Sequence, residues 1–157
     1  MKLSGLVAAA IGLVLIGASG CGGDSESLVE PPPPAGKAAT LVGTWEATQP
    51  GGYKLRYVFR PDGTYAHASG IRQKRKAGTY SFAIRSRGSA TVRGRRLVLR
   101  PRSGTIERHD PDDPRGDFTQ PVKRKPQRYE WLVRGTGREA KLRLTIGGSL
   151  AVIYHRR

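Results

Sequence analysis

From residue 40 to the C-terminus, apolar and polar residues alternate in short runs broken by Gly, Pro and Asp. Tyr53, Leu55, Tyr57 and Phe59 alternate with Lys54, Arg56, Val58 and Arg60, the period of a strand with one buried face. Pro61-Asp62-Gly63 follows as a turn: proline sets φ, aspartate bonds its own backbone, and glycine accepts positive φ. The chain returns over residues 64–69 with Tyr65 and His67 on one face. The same rhythm predicts strands over 78–84 (Tyr80, Phe82, Ile84), 96–100 (Leu97, Leu99), 105–109, 128–134 (Tyr129, Trp131, Val133), 140–146 (Leu142, Leu144, Ile146) and 150–155. Pro101-Arg102-Ser103-Gly104 reads as a turn between two of them. With a first strand over 41–48 the count is nine, and nothing after Gly20 carries a helical period.

An up-and-down barrel closed by antiparallel pairing needs an even number of strands. One candidate is therefore an appendage or a strand split by a bulge, and residues 86–95 are the expected place of the miscount. Roughly 115 residues in about eight short strands specify an all-β chain, a small up-and-down antiparallel β-barrel. Such a barrel is either filled by side chains or holds one small ligand.

The N-terminal residues follow a different pattern. A short basic start with Lys2 leads into an apolar run over 6–16, then into Ala18-Ser19-Gly20 and the lone cysteine, Cys21. The run falls short of the ~20 residues of a membrane span. This arrangement resembles the lipobox of bacterial lipoproteins, with Ala18 where that family favours leucine. The resemblance implies cleavage before Cys21 and a diacylglycerol on its sulfur. Ordinary signal cleavage after Gly20 and an uncleaved anchor are the competing readings. The expected organisation is a signal peptide over 1–20, a lipidated Gly/Ser/Pro tether over 21–39 and a barrel domain over 40–157. The tether reads as disordered, with a stiff stretch at Pro31 to Pro34. With one cysteine there is no intramolecular disulfide, so packing must hold the domain.

Leu41-Val42-Gly43-Thr44-Trp45, residues 59–65, Gly78-Thr79-Tyr80 and Arg96-Leu97-Val98-Leu99 together resemble a lipocalin-like domain of bacterial secreted proteins. The resemblance covers most of residues 41–101. In lipocalins the glycine-x-tryptophan motif lies at the closed end, and an arginine near the last strand stacks across the tryptophan. It therefore implies that Gly43 and Trp45 form a barrel floor, with Arg156 the candidate arginine.

Charge narrows the range of partners. The chain holds 28 Lys and Arg against 12 Asp and Glu, net +16, and from Thr40 onward the balance is +17. Such a field favours anionic partners. Arginine outnumbers lysine 20 to 8 beside abundant Gly, Ala and Pro, so compositional drift in a GC-rich genome is the competing reading. Basic clusters lie at 72–76, 93–96, 123–125 and 156–157, three read as connections and one as the terminus. No nucleic-acid motif accompanies them, and export makes nucleic acid an unexpected partner.

No catalytic constellation is visible. His67, His109 and His155 have no paired spacing suited to a metal, and no nucleophile motif marks a triad. The loop over 109–117 concentrates four acids, but their spacing does not fit an EF-hand, and it reads as solvated and Pro-broken. The expectation is a monomeric, non-enzymatic lipoprotein, anchored to a membrane on its extracytoplasmic side, with neither cofactor nor metal. Its barrel encloses a small apolar or amphiphilic ligand lined by Tyr57, Tyr65, Tyr80 and Trp131. In the alternative, the barrel is solid and basic residues such as Arg72, Lys74, Arg75 and Lys76 contact anionic lipids or cell-envelope polymers.

Overall fold

The computed structural model describes residues 38–123 and 125–157. The expected signal peptide, the expected lipid site at Cys21 and nearly all of the expected tether lie outside the described residues.

Nine strands follow one short helical turn, α1 (Ala38–Leu41): β1 (Gly43–Gln49), β2 (Tyr53–Phe59), β3 (Thr64–Arg75), β4 (Gly78–Arg93), β5 (Arg96–His109), β6 (Phe118–Pro121), β7 (Gln127–Arg134), β8 (Lys141–Ile146) and β9 (Leu150–Arg156). Eight of them close in the order β1-β2-β3-β4-β5-β7-β8-β9, and β9 pairs back onto β1. Every pairing is antiparallel. The fold is the closed barrel that the alternation predicts, with β6 as the extra strand.

The miscount has one of the two expected origins, a strand split by a bulge, and its register shift falls within residues 86–95, although the strand counted twice is β5. Residues 101–104 do not turn: β5 runs unbroken from Arg96 to His109, and β4 extends to Arg93 to pair with it. The register shifts between Arg87 and Gly88, where Arg102 has no opposite residue. Pro101 sits where the β7 ladder on β5 has ended, at Leu99, and the β6 ladder has not begun, at Thr105. A missing amide hydrogen is tolerated at such a bulge. The ninth strand is β6, drawn from residues that had read as polar loop.

The turn at Asp62 forms as the residue types require. The Asp62 carboxylate accepts from the Thr64 amide at 2.9 Å and the Thr64 hydroxyl at 2.7 Å, and these bonds hold its pKa below the ordinary aspartate value.

Alternation divides each strand into an inner and an outer set. Trp45, Ala47, Tyr57, Phe59, Tyr65, Leu97, Leu99, Trp131, Leu142, Leu144 and Tyr154 form one buried cluster. An up-and-down chain also sorts its connections. The β2–β3, β4–β5 and β7–β8 turns share one end with α1. The β1–β2, β3–β4 and β8–β9 turns share the other with the β5–β6–β7 segment. The cluster at 72–76 is carried mostly by the long arm of β3 rather than by a connection, since β3 runs to Arg75.

Candidate functional site

The first place to look is inside the barrel. Tyr57 and Tyr65 face each other there with ring centres 6.4 Å apart. Tyr57 also lies 4.5 Å from the His67 ring and 5.6 Å edge-on to Tyr154. Its hydroxyl meets that of Tyr129 at 3.3 Å. Burial, and then Tyr129, push the Tyr57 hydroxyl far toward the neutral form. Burial alone lowers the His67 pKa to about 4, so the imidazole is neutral at physiological pH. The Tyr65 hydroxyl is buried and makes no hydrogen bond of good geometry to a described residue, though burial and the neighbouring Ser86 hydroxyl pull its pKa in opposite directions. Aromatic rings from facing strands thus occupy this interior.

The other two expected lining residues are elsewhere. Trp131 is buried and donates its indole N–H to the Gly94 carbonyl at 3.0 Å, which pins it at the α1 end. Tyr80 lies under the Arg75 guanidinium, 4.2 Å from ring centre to Cζ, outside the core cluster. Trp45 is fully buried, donates to the Leu41 carbonyl at 2.7 Å and is covered by Arg156, 5.3 Å from its ring centre. Gly43 has φ +138°, and a Cβ there would meet the Arg156 guanidinium at 3.1 Å.

A large hollow is on the opposite face of the sheet. A trough of about 950 Å³ runs across β1 to β6. Two register rows cross its floor. Thr48, Lys54, Gly70, Ala83, Glu107 and Thr119 stand side by side, as do Glu46, Arg56, Ala68 and Arg85. These positions alternate with Trp45, Tyr57 and Tyr65 and so point outward. A second hollow of about 670 Å³ shares Arg56, Ala68, Arg85 and Glu107 and continues past Val58, Ala66 and Arg87. Alanine and glycine leave the middle strands bare, and a Cβ at Gly70 would collide with the Phe82 carbonyl of β4. Glycine there lets the two backbones approach.

The trough is basic. Glu46 is engaged by Arg56 at 3.6 Å and Arg157 at 2.8 Å. Glu107 is engaged by Arg85, whose hydrogen bond and charge hold the carboxyl below its ordinary range. Among the described residues, no carboxylate pairs with Lys54, Arg72 or Arg87. The sequence contained a signal for this face, since Ala66, Ala68, Gly70 and Ala83 are small residues at outward positions of the alternation.

Asp112 and Asp113 of the 109–117 loop are exposed, as a solvated loop predicts, but Asp110 departs from that expectation. Asp110 is buried and receives Arg75 at 2.9 Å, Arg108 at 2.8 Å and the Asp112 amide at 3.1 Å. Asp112 also faces Arg75, and Asp113 faces Arg108. Asp117 accepts from the Asp110 amide at 2.6 Å and meets His109 Nδ1 at 2.7 Å, contacts that lower its pKa. Arg75 is therefore part of an anchored loop rather than a free surface cation. Among the described residues, no three His, Cys, Asp or Glu converge as a metal site, and no helix is long and apolar enough to cross a membrane. No protein-family model, curated protein or solved structure matches this chain.

Proposed function

We propose that the chain is an extracytoplasmic lipoprotein, anchored through Cys21, whose barrel binds an anionic chain along its outer face. The observation that carries this reading is the trough: aromatic rings occupy the interior, while a large hollow lies across outward positions of β1 to β6 and exposes cations without carboxylate partners among the described residues. An extended polymer suits a long open trough better than a compact ligand does. Phosphate or carboxylate groups along it would meet Lys54 and Arg72, with Arg87 in the adjoining hollow, and the bare floor at Ala68, Gly70 and Ala83 admits its backbone. The role is binding, with no chemistry on the ligand.

The test uses the full chain carrying Cys21→Ser and long-chain polyphosphate as a soluble polyanion. Lys54→Glu with Arg72→Glu should weaken binding at least ~10-fold, and Arg138→Glu with Lys141→Glu, two reversals away from the trough, far less. Equal losses from both pairs would reduce the effect to net charge and sink the proposal.

A second reading, a ligand inside the barrel, is favoured by the Tyr65 hydroxyl. A buried hydroxyl without a partner costs ~1–3 kcal/mol, which a ligand or water oxygen beside it would offset. Native mass spectrometry of protein purified without organic solvent decides this one: a stoichiometric bound molecule, lost in Tyr65→Phe, would support it.

A further inference from the structure

The end of the barrel farthest from α1 has a composition that the trough does not explain. Among the described residues, the large apolar side chains that remain exposed are Ile146, Leu150 and Ile153, at 49%, 65% and 54%, and all three belong to the β8–β9 hairpin. Ile146 and Leu150 are direct cross-strand partners on either side of the Gly147-Gly148-Ser149 turn. They continue the inward alternation of Leu142, Leu144 and Val152 past the rim, where no opposing strand covers them. The hairpin therefore carries its core pattern one step beyond the core.

The same end gathers lysine. Lys74 and Lys76 lie at the β3–β4 turn, Lys123 and Lys125 between β6 and β7, and all four are exposed. The acids nearby do not neutralise them: Asp110, Asp112, Asp113 and Asp117 are taken up by Arg75, Arg108 and His109. The register brings the apolar tip beside Lys123 and Lys125, since the Glu130–Thr145 pair carries Gln127 and Arg128 up to the Gly147-Gly148 turn, while Lys74 and Lys76 lie farther out on the β3–β4 arm, past the last β4–β5 pair at Ser81 and His109.

We infer that this hairpin tip docks on an anionic bilayer, Ile146 and Leu150 entering the headgroup boundary while the neighbouring Lys123 and Lys125 meet lipid phosphates. The occupant follows from size and charge. Two half-exposed side chains on a hairpin tip present far less than the ~1,000 Å² a stable protein interface needs. They do match the shallow insertion of a peripheral protein, in which buried apolar area and basic residues act together. The chain enters the barrel at the opposite end. The eighteen residues 22–39 reach at most ~60 Å, which exceeds the ~50 Å contour of β4 at ~3.3 Å per residue, so an anchored molecule has the chain length to turn this end toward its own membrane. The inference is independent of both the lipid on Cys21 and the ligand of the trough.

The experiment places a reporter at each end of the hairpin. In the full chain carrying Cys21→Ser, Ser149→Cys at the tip and Glu139→Cys at the α1 end of β8 each accept one polarity-sensitive fluorophore. With vesicles of equimolar phosphatidylglycerol and phosphatidylcholine at low salt, the label at 149 should shift to the blue and the label at 139 should not. Pure phosphatidylcholine or high salt should abolish the shift. Ile146→Asn with Leu150→Asn should weaken vesicle binding about tenfold, with the thermal melt unchanged because both side chains are exposed. Equal shifts at both labels, or none at 149, would overturn the inference. So would a shift at 149 that appears without lipid and grows with protein concentration, since the tip would then bind a second copy.

Discussion

The guanidinium of Arg156 lies 5.3 Å from the centre of the Trp45 ring and donates to the Val42 carbonyl at 2.7 Å. The contact sits on the seam that closes the barrel. β9 and β1 share two register pairs, Trp45 with Arg156 and Glu46 with His155, whereas β1 and β2 share seven. Side chains make up for the short ladder. Arg157 adds its amide to the Thr44 carbonyl at 3.0 Å and its Nε to Glu46 at 2.8 Å. The last two residues of the chain thus fasten its first strand.

Arg156→Ala should therefore destabilise the domain by about 2 kcal/mol, a lost cation–π contact and a lost charged hydrogen bond together. Arg156→Lys should recover little, because an ammonium cannot cover the ring and reach the carbonyl as a planar fork does. Trp45→Ala should cost more, ~3–5 kcal/mol. Urea denaturation followed by circular dichroism measures all three. A stability unchanged by Arg156→Ala would show that the seam holds without it.

His67 makes folding sensitive to acid. Its pKa is about 4 in the folded barrel, because burial penalises the cation, and 6.5 is its ordinary value. Between these values the unfolded chain binds the extra proton, so stability is fully present above pH 6.5 and falls as the pH drops toward 4. The difference amounts to about 3 kcal/mol. His67→Phe should flatten this part of the profile while leaving neutral stability similar. A wild-type stability constant from pH 7 to pH 4.5 would contradict a buried neutral imidazole.

Asp110 holds the 109–117 loop between Arg75 and Arg108. Asp110→Ala leaves both guanidinium groups without their shared partner and frees the Asp112 amide. The loop should open locally while the barrel stays folded. Trypsin reads this directly at the exposed Arg115, where the variant should be cut several-fold faster than wild type. Equal cleavage would mean that the turn at Pro114–Gly116 holds the loop unaided.

Cys21→Ala should leave the precursor uncut by a lipoprotein signal peptidase. Wild-type protein should partition into detergent and carry the added mass of diacylglycerol. A mature wild-type chain with a free N-terminal thiol would remove the anchor from the proposed function.

The sequence by itself determined the strands with alternating faces, the hairpin at Asp62, the even closure of the barrel and the burial of Trp45, Tyr57, Tyr65 and Trp131. Each of these depends on local period or turn chemistry, which are properties of neighbouring residues. Tertiary structure alone decided the rest. Pro101 reads as a turn until its neighbours are known: it tolerates a strand because β7 has ended beside it and β6 has not yet begun. Residues 118–121 form β6 because β5 outruns β7 and offers them a free edge. Tyr80 leaves the expected lining because the β3–β4 arm carries it past the last β4–β5 pair, where Arg75, held by Asp110, covers its ring. The trough depends on the curvature of six strands at once, which alternation along one strand does not encode.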